Sequence, residues 1–518
     1  MEGAWPWRSG RHNDHLERDP YDHYDGGVKK APKGIVPVIA IDRTSTQPLY
    51  RQLYEGYREA IVERRLRPGQ RLPSTRSLAE ELLVSRIPVL NAFEQLVAEG
   101  YIESHVGAGT FVARSLPEEP LAVASVDRMK ARPGQRIVSR SPAALPRRAG
   151  EPWLGGSGAF RMSEVAIDRF PFAVWSTLFN RHSHNPRLSL LRYGDSMGHR
   201  PFREALAEYL RTARAVRCEA DQIMVVSGSQ QALEISARVL LDPGSPVWVE
   251  EPGYAGAQDV LRRVGARLVP VPVDEEGLDV NAAIARSRRP RAVYVTPSHQ
   301  YPLGVTMSAS RRLQLLDWAR RQGAWILEDD YDSEYRYESL PVAALQGLDR
   351  DARVIYIGTF SKVLFPALRV GYIVIPADLV PRFAGLREAM DIFAPTLPQA
   401  VLAEFLHQGH FARHLRRMRQ LYRERRSALV AAIRSELGAS LQVMGEQAGV
   451  HLVATLSNKA SDRQISSRAA RQGLWAMPLS SCYLGPAKRQ GLVLGYGGTD
   501  LAAMPEAVGR LRRVLRAS

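Results

Sequence analysis

At 518 residues the chain is too long for one ordinary core, so two or three domains are expected. Hydrophobic residues at 45% and charged residues at 24% describe globular composition, and no apolar run approaches the ~18 residues that would span a bilayer. Lys and Arg total 70 against 54 acidic residues, a formal net charge of +16 that favours a polyanionic partner, although Arg-rich enzymes reach the same balance. Two cysteines, Cys218 and Cys482, give no disulfide framework and no metal cluster, and the expectation is two reduced, buried thiols in a cytoplasmic protein.

Residues 1–36 are polar, rich in Asp, His, Arg and Gly, and without helical or strand period, which predicts a disordered arm. No secretory signal is expected there, since no apolar run follows the arginines, and the irregular spacing of His12, His15 and His23 predicts no metal site. The first ordered domain is expected over residues 37–114. Leu49, Leu53, Tyr57, Ala60 and Ile61 recur at helical spacing before the Pro68-Gly69 turn. Ser74 is placed to cap a helix from Thr75 to Leu83, and a third helix runs from Arg86 to about Glu99 with Pro88 in its first turn. Gly100 ends it. Residues 101–105 and 110–112 then read as strands around a Gly107-Ala108-Gly109 turn. Three helices followed by a two-stranded hairpin describe a winged helix-turn-helix.

Such a module sets the N-terminal residues of its second helix-turn-helix helix against base edges, while phosphates are gripped around it. Ser85, Arg86, Asn91 and Gln95 are expected on the outward face, with Leu90, Phe93, Leu96 and Val97 turned inward. Arg71, Ser74 and Arg76 stand near the start of the preceding helix for phosphate contact, and Gly107 and Thr110 belong to a wing near the minor groove. The run LPSTRSLAEELLVSRIPVLNAFEQLVAEGYIESHVGAGTFVAR, residues 72–114, resembles the DNA-binding domain of GntR-type regulators almost end to end. Double-stranded DNA is the partner this resemblance implies.

Residues 115–158 are dominated by Pro, Ala, Arg, Gly and Ser and read as a flexible linker. From residue 159 to 518 apolar runs alternate with amphipathic segments. Strands are expected at Gln222–Val226, Pro246–Glu250, Ala292–Thr296, Ala324–Leu327, Val354–Ile357 and Val370–Ile375, followed by Arg-rich helices, further strands and a last helix near Pro505–Arg516. This is an α/β pattern, a mainly parallel sheet covered by helices.

Chemistry-bearing residues fall at the ends of these strands, where open α/β sheets bind ligands. Lys362, in Thr359-Phe360-Ser361-Lys362, is placed to act as a Schiff-base nucleophile. Gly228, Ser229 and Gln230 open a helix whose N–H groups suit a phosphate, joined there by Thr359, Ser361 and Arg369. Tyr254 offers a ring to stack on a pyridine, and Glu328-Asp329-Asp330-Tyr331 ends a strand with a carboxylate suited to hold the pyridine nitrogen protonated. His299 ends another strand, in a segment that continues Gln300-Tyr301-Pro302, and Tyr331 follows Asp330.

These residues resemble the fold-type I aminotransferases. The resemblance implies pyridoxal 5'-phosphate (PLP) in an internal aldimine with Lys362, Asp329 on the ring nitrogen, Tyr331 by the phenolic oxygen and Tyr254 on the ring face. It also implies a homodimer in which Tyr193 reaches the neighbouring subunit's phosphate. Two positions differ from that pattern: Tyr301 stands where an asparagine is usual, and Val493 where a carboxylate-binding arginine is sought, with Lys488 and Arg489 nearby.

The winged helix, linker and aminotransferase-like domain, with HQYP, EDDYDSEYRY and GTFSK, together resemble the MocR subfamily of bacterial regulators. The expectation is a dimeric, cytoplasmic, DNA-binding regulator that senses PLP, or an amine or amino acid, through aldimine chemistry at Lys362. The alternative is a working PLP-dependent aminotransferase with an appended DNA-binding domain. A dimerisation scaffold without cofactor would show disrupted phosphate or Schiff-base positions, and none is disrupted.

Overall fold

The computed structural model describes residues 39–516 apart from 106, 117–150, 163, 288, 338–341, 439 and 459. The expected arm over residues 1–36 and most of the expected linker lie outside the described residues. The chain divides into two compact units, Met1–Ile137 and Val138–Ser518.

In the first unit α1 (Leu49–Val62), α2 (Thr75–Glu81) and α3 (Arg86–Ala98) surround one apolar cluster. Leu53, Tyr57, Ala60 and Ile61 face it from α1, as their spacing predicts, and Tyr57 meets Phe93 edge-to-face at 5.3 Å. Ser74 caps α2, its hydroxyl accepting from the Ser77 N–H at 3.1 Å. Gly100, at φ +80, follows the end of α3, a left-handed turn that glycine adopts without strain. β1 (Ile102–His105) and β2 (Gly109–Val112) pair antiparallel, with Ile102 opposite Val112 and His105 opposite Gly109. Arg71 adds a bridge to Phe111, so the segment before α2 lies along the wing. The inward face of α3 differs from the expected one: Val89, Ala92, Phe93 and Leu96 are buried, whereas Leu90 and Val97 are exposed.

The second unit begins earlier than expected. Trp153, assigned to the linker from sequence, is buried against Val453, Met477, Leu479 and Val493, so ordered packing starts before residue 159. After α4 (Phe172–His184) and α5 (Arg200–Arg214), the main sheet is laid down as β3 (Ile223–Val226), α6 (Ser229–Leu240), β4 (Pro246–Glu251), α7 (Ala255–Arg263), β5 (Arg267–Asp274), β6 (Gly277–Leu278), α8 (Val280–Arg286), β7 (Ala292–Val295), α9 (Ala309–Gln322), β8 (Trp325–Asp330), α10 (Leu345–Leu348), β9 (Val354–Thr359) and β10 (Gly371–Val374). Its order is β3-β10-β9-β8-β7-β4-β5-β6. Strands β9, β8, β7, β4 and β5 run parallel, while β10 is antiparallel to both its neighbours. Strands buried on both faces explain the continuous apolar runs such as Ile223-Met224-Val225-Val226.

The chain continues through α11 (Val380–Asp391), α12 (Thr396–His407) and the 28-residue α13 (His410–Leu437) into a smaller antiparallel sheet. That sheet comprises β11 (Leu441–Met444), β12 (His451–Leu456), β13 (Met477–Pro478) and β14 (Gly491–Gly495), in the order β11-β12-β14-β13. α14 (Asp462–Arg471) and α15 (Met504–Arg516) complete it, α15 packing along α13. No helix among the described residues is long and apolar enough to cross a membrane.

Candidate functional site

The C-terminal ends of the parallel strands open on a cavity of about 230 Å³. Asp329, near the end of β8, lies at its wall, buried. One carboxylate oxygen, Oδ2, accepts from the Tyr294 hydroxyl at 2.9 Å; the other, Oδ1, is buried with no hydrogen-bond partner among the described residues. Burial pushes this carboxyl up to about 7, against the Tyr294 hydrogen bond. Lys362 enters the same cavity from the turn after β9, and burial pulls its amine down to about 8, opposed by the carboxylates of Asp332 and Asp329.

An anion cradle lies alongside. Gly228, at φ +109, precedes α6 and caps it without a side chain, so Ser229 and Gln230 line the cavity at an open helix N-terminus. A Cβ on Gly228 would come 3.2 Å from Nη2 of Arg369, which holds a left-handed φ of +52 at the close of a short helical turn. Among the described residues this guanidinium has no carboxylate partner. Thr359 Oγ1 accepts from the Ser361 N–H at 3.1 Å and lies 3.0 Å from the Ser361 hydroxyl, and both residues line the cavity. Tyr254 forms another wall, its hydroxyl accepting from Gln230 Nε2 at 3.1 Å and its ring standing edge-on to Tyr301 at 5.4 Å.

His299 sits behind this wall rather than on it. Its Nδ1 lies 3.0 Å from Asp332 and 3.1 Å from the Tyr331 hydroxyl. A carboxylate only accepts, so Nδ1 carries the proton, and His299 braces Tyr331 from the rear. Tyr193 does not line the cavity; it is 82% exposed. His299, Asp332 and His451 bring atoms of metal-ligand type within 4.8 Å of one another. Asp332 is engaged by His299, and the Pro302 carbonyl accepts from His451 Nε2 at 3.1 Å, while His299 Nε2 is buried with no hydrogen-bond partner among the described residues.

In the first unit the candidate DNA-contacting residues are spread over the α2–α3 face and the wing. Arg76, Ser85, Arg86, Asn91 and Gly107 are exposed. Arg86 Nε reaches the Thr75 hydroxyl at 3.3 Å, tying the start of α3 to α2. Ser85 makes no side-chain cap, whereas Ser74 is engaged in capping α2. Arg71 lies against the wing, where a Cβ on Gly109 would meet its Nε at 3.0 Å, and the Thr110 carbonyl accepts from the Leu72 N–H.

Residues 49–112 match the bacterial regulatory proteins of the gntR family, and residues 169–511 match aminotransferase class I and II. The chain is 42% identical, over 92% of its length and 95% of the relative's, to the probable rhizopine catabolism regulatory protein MocR of Rhizobium meliloti. The chain belongs to the MocR subfamily of GntR-type transcriptional regulators. Another relative is the pyridoxine biosynthesis transcriptional regulator PdxR of Corynebacterium glutamicum, 32% identical over 90% of this chain and 96% of that one. Among solved structures, a Pyrococcus horikoshii kynurenine aminotransferase in complex with PMP aligns with a TM-score of 0.68 at 25% identity, covering 76% of this chain and 98% of its own.

Several members of the site were not singled out from sequence. Tyr294 holds Asp329, and its signal was a tyrosine inside the apolar strand β7, whose buried hydroxyl requires a partner. Glu250 accepts from the Thr296 hydroxyl at 2.7 Å beneath the cavity, and burial pushes its carboxyl up to about 7. His451, from β12, lines the cavity and is held well below the ordinary histidine range by burial. In this MocR-type chain Val493 is buried in β14, in the apolar cluster around Trp153, while Lys488 and Arg489 line a different surface hollow. Arg369 is thus the sole guanidinium lining the cavity among the described residues.

Proposed function

We propose that this regulator binds PLP in the cavity around Lys362 and that cavity occupancy by PLP, or by an amine or amino acid reacting there, changes its affinity for operator DNA. The observation that carries the reading is the convergence on one cavity of the buried Oδ1 of Asp329, which has no hydrogen-bond partner among the described residues, the half-buried amine of Lys362 and the exposed guanidinium of Arg369. Leaving the Asp329 oxygen buried without a partner is costly unless a ligand supplies one.

The residues fit PLP. Arg369, Thr359, Ser361 and the N-terminus of α6 at Gly228, Ser229 and Gln230 would hold the phosphate, and Gly228 leaves the space that a Cβ would fill. Asp329 Oδ1 would hold a proton at the pyridine nitrogen, Tyr254 would cover a ring face, and Tyr331, braced by His299, would hydrogen-bond the phenolic oxygen. When bound, PLP supplies an aldehyde that condenses with amines and a ring that withdraws electrons. The depressed basicity of Lys362 keeps a larger neutral, nucleophilic fraction near neutral pH than a free lysine has. A second copy is proposed to cover the exposed segment carrying Leu188, Leu191 and Tyr193, giving a dimer that acts on DNA in the cytoplasm.

A borohydride-reducible visible band in the PLP-treated protein, absent from Lys362→Ala, is the expected result; no band in either overturns the cofactor assignment. The presence of both Lys362 and Asp329 also supports residual transamination. Turnover of amino-acid and keto-acid pairs would establish it, and the lack of a second guanidinium in the cavity among the described residues predicts that α-carboxylates are gripped poorly.

A further inference from the structure

The outward face of α3 carries an apolar strip. Ile87 is 68% exposed and Leu90 38%, three residues apart and therefore neighbours on one face, with exposed Asn91 beside them. The core of the unit has no need of either side chain, since Val89, Ala92, Phe93 and Leu96 fill the inner face. Just ahead of α3, Leu83 is 80% exposed at φ +53, a left-handed conformation in which leucine is strained. Strain and solvent-exposed leucine and isoleucine side chains at one end of a helix mark a surface kept for a ligand.

The basic residues of the unit are placed around this strip rather than within it. Arg71 lies along the wing, Arg76 is on α2 paired with Glu80, and Arg86 reaches back to Thr75. They can hold phosphates on either side of the groove, which fixes register without reading sequence. The first turns of the second helix-turn-helix helix enter the major groove, where the thymine C5 methyl is the apolar feature that distinguishes one base pair from another. Guanine readout calls for Arg or Lys; Arg86, which opens α3 and reaches back to Thr75, is the residue there that can supply it, and the positions from Ile87 to Glu94 offer neither.

We infer that Ile87 and Leu90 read thymine methyl groups, so that the operator half-site presents A·T pairs to the first turns of α3, with Asn91 suited to the adenine edge. The inference rests on the DNA-binding assignment and extends it by naming the base chemistry.

The test uses the full-length protein. Binding sites are selected from a random pool of duplex DNA, and each thymine of the selected site is then replaced singly by uracil, which removes only the methyl group. At one or two positions the uracil duplex is expected to bind the wild type roughly three- to five-fold more weakly, the size of one buried methyl group. The same uracil should cost Ile87→Ala or Leu90→Ala nothing further. The inference is overturned if every uracil duplex binds the wild type as tightly as the thymine parent, or if the penalty persists undiminished in the Ile87→Ala, Leu90→Ala double variant. Failure to select any site overturns DNA binding itself, a separate result. Both side chains are exposed, so the variants should melt like the wild type; if one does not, the wild-type uracil series decides alone.

Discussion

The polar groups that α2, α3 and the wing offer stand in water, whereas the carboxylates of Asp329 and Glu250 beside the Lys362 cavity have been taken out of it. Arg76, Arg86 and Asn91 are exposed and lose little solvation until a partner arrives. Asp329 and Glu250 are buried, with their carboxyls raised to about 7, and Lys362 is lowered to about 8 by the same burial. The first arrangement suits a large, charged, interchangeable ligand held mainly by long-range attraction. The second suits one small ligand whose charges replace those missing from the wall, because low-dielectric surroundings strengthen each pairing that is made and penalise each that is not. One unit therefore advertises its function by charge and motif, the other by unsatisfied chemistry.

The sharpest way to separate the two is to remove the core of one and observe the other. Phe93→Ala deletes the ring packed on Tyr57 and should destabilise the first unit by about 3–5 kcal/mol. Calorimetry should show the transition of that unit lowered or lost, while the PLP-dependent visible band remains. Loss of both together would mean that the units do not fold independently.

Within the cavity, Arg369→Ala removes the one guanidinium that lines it among the described residues and should weaken PLP binding by roughly 1.5–3 kcal/mol, the range for hydrogen bonds to a charged group. Pyridoxal, which lacks the phosphate, should bind wild type and variant alike in the same fluorescence titration. An equal loss for both ligands would place Arg369 in scaffolding instead of phosphate binding.

Which parts were legible follows from the same contrast. The helix lengths, the Ser74 cap, the Gly100 stop and the wing were readable because each depends on a few local residues. Leu90 and Val97 read as inward only where every apolar side chain is a core side chain, yet the seam runs through Val89, Ala92, Phe93 and Leu96. β5 escaped notice because Pro270 and Pro272 argue against a strand. In the sheet these prolines pair with β4, and β6 covers β5 only at Val273 and Asp274, so alternate residues along β5 need no N–H on the outer side. The strand-end residues from Gly228 to Arg369 could be gathered from motifs. Their supports, Tyr294, Glu250 and His451, could not, because each matters through a hydrogen bond or burial made across the sheet or between the two sheets.

The lowered basicity of Lys362 gives a pH test of the buried arrangement. The amine must be neutral to attack an aldehyde, and its neutral fraction rises tenfold per pH unit until pH approaches its pKa of about 8. The rate of PLP capture by cofactor-free protein, followed by stopped-flow absorbance, should climb by about that factor per unit, about 1.4 kcal/mol in barrier, and level off above pH 8. A rate still climbing well above pH 9 would show that Lys362 behaves as a solvated lysine and that the cavity is wetter than its walls imply.

The mildest probe returns to the first unit. Ser74→Ala removes the hydroxyl that accepts from the Ser77 N–H and should cost about 1 kcal/mol of local stability, the usual loss for a helix cap. Ser74 also stands beside Arg76 at the start of α2, where a hydroxyl can donate to a phosphate while still accepting from Ser77. Ser74→Asp separates the two roles, since aspartate caps as well as serine yet repels phosphate. If capping is the whole of its role, Ser74→Asp melts like the wild type and binds the selected DNA as tightly. If Ser74 touches the backbone, the aspartate variant keeps its stability and loses affinity, and the loss grows as salt is lowered because repulsion between like charges is then least screened.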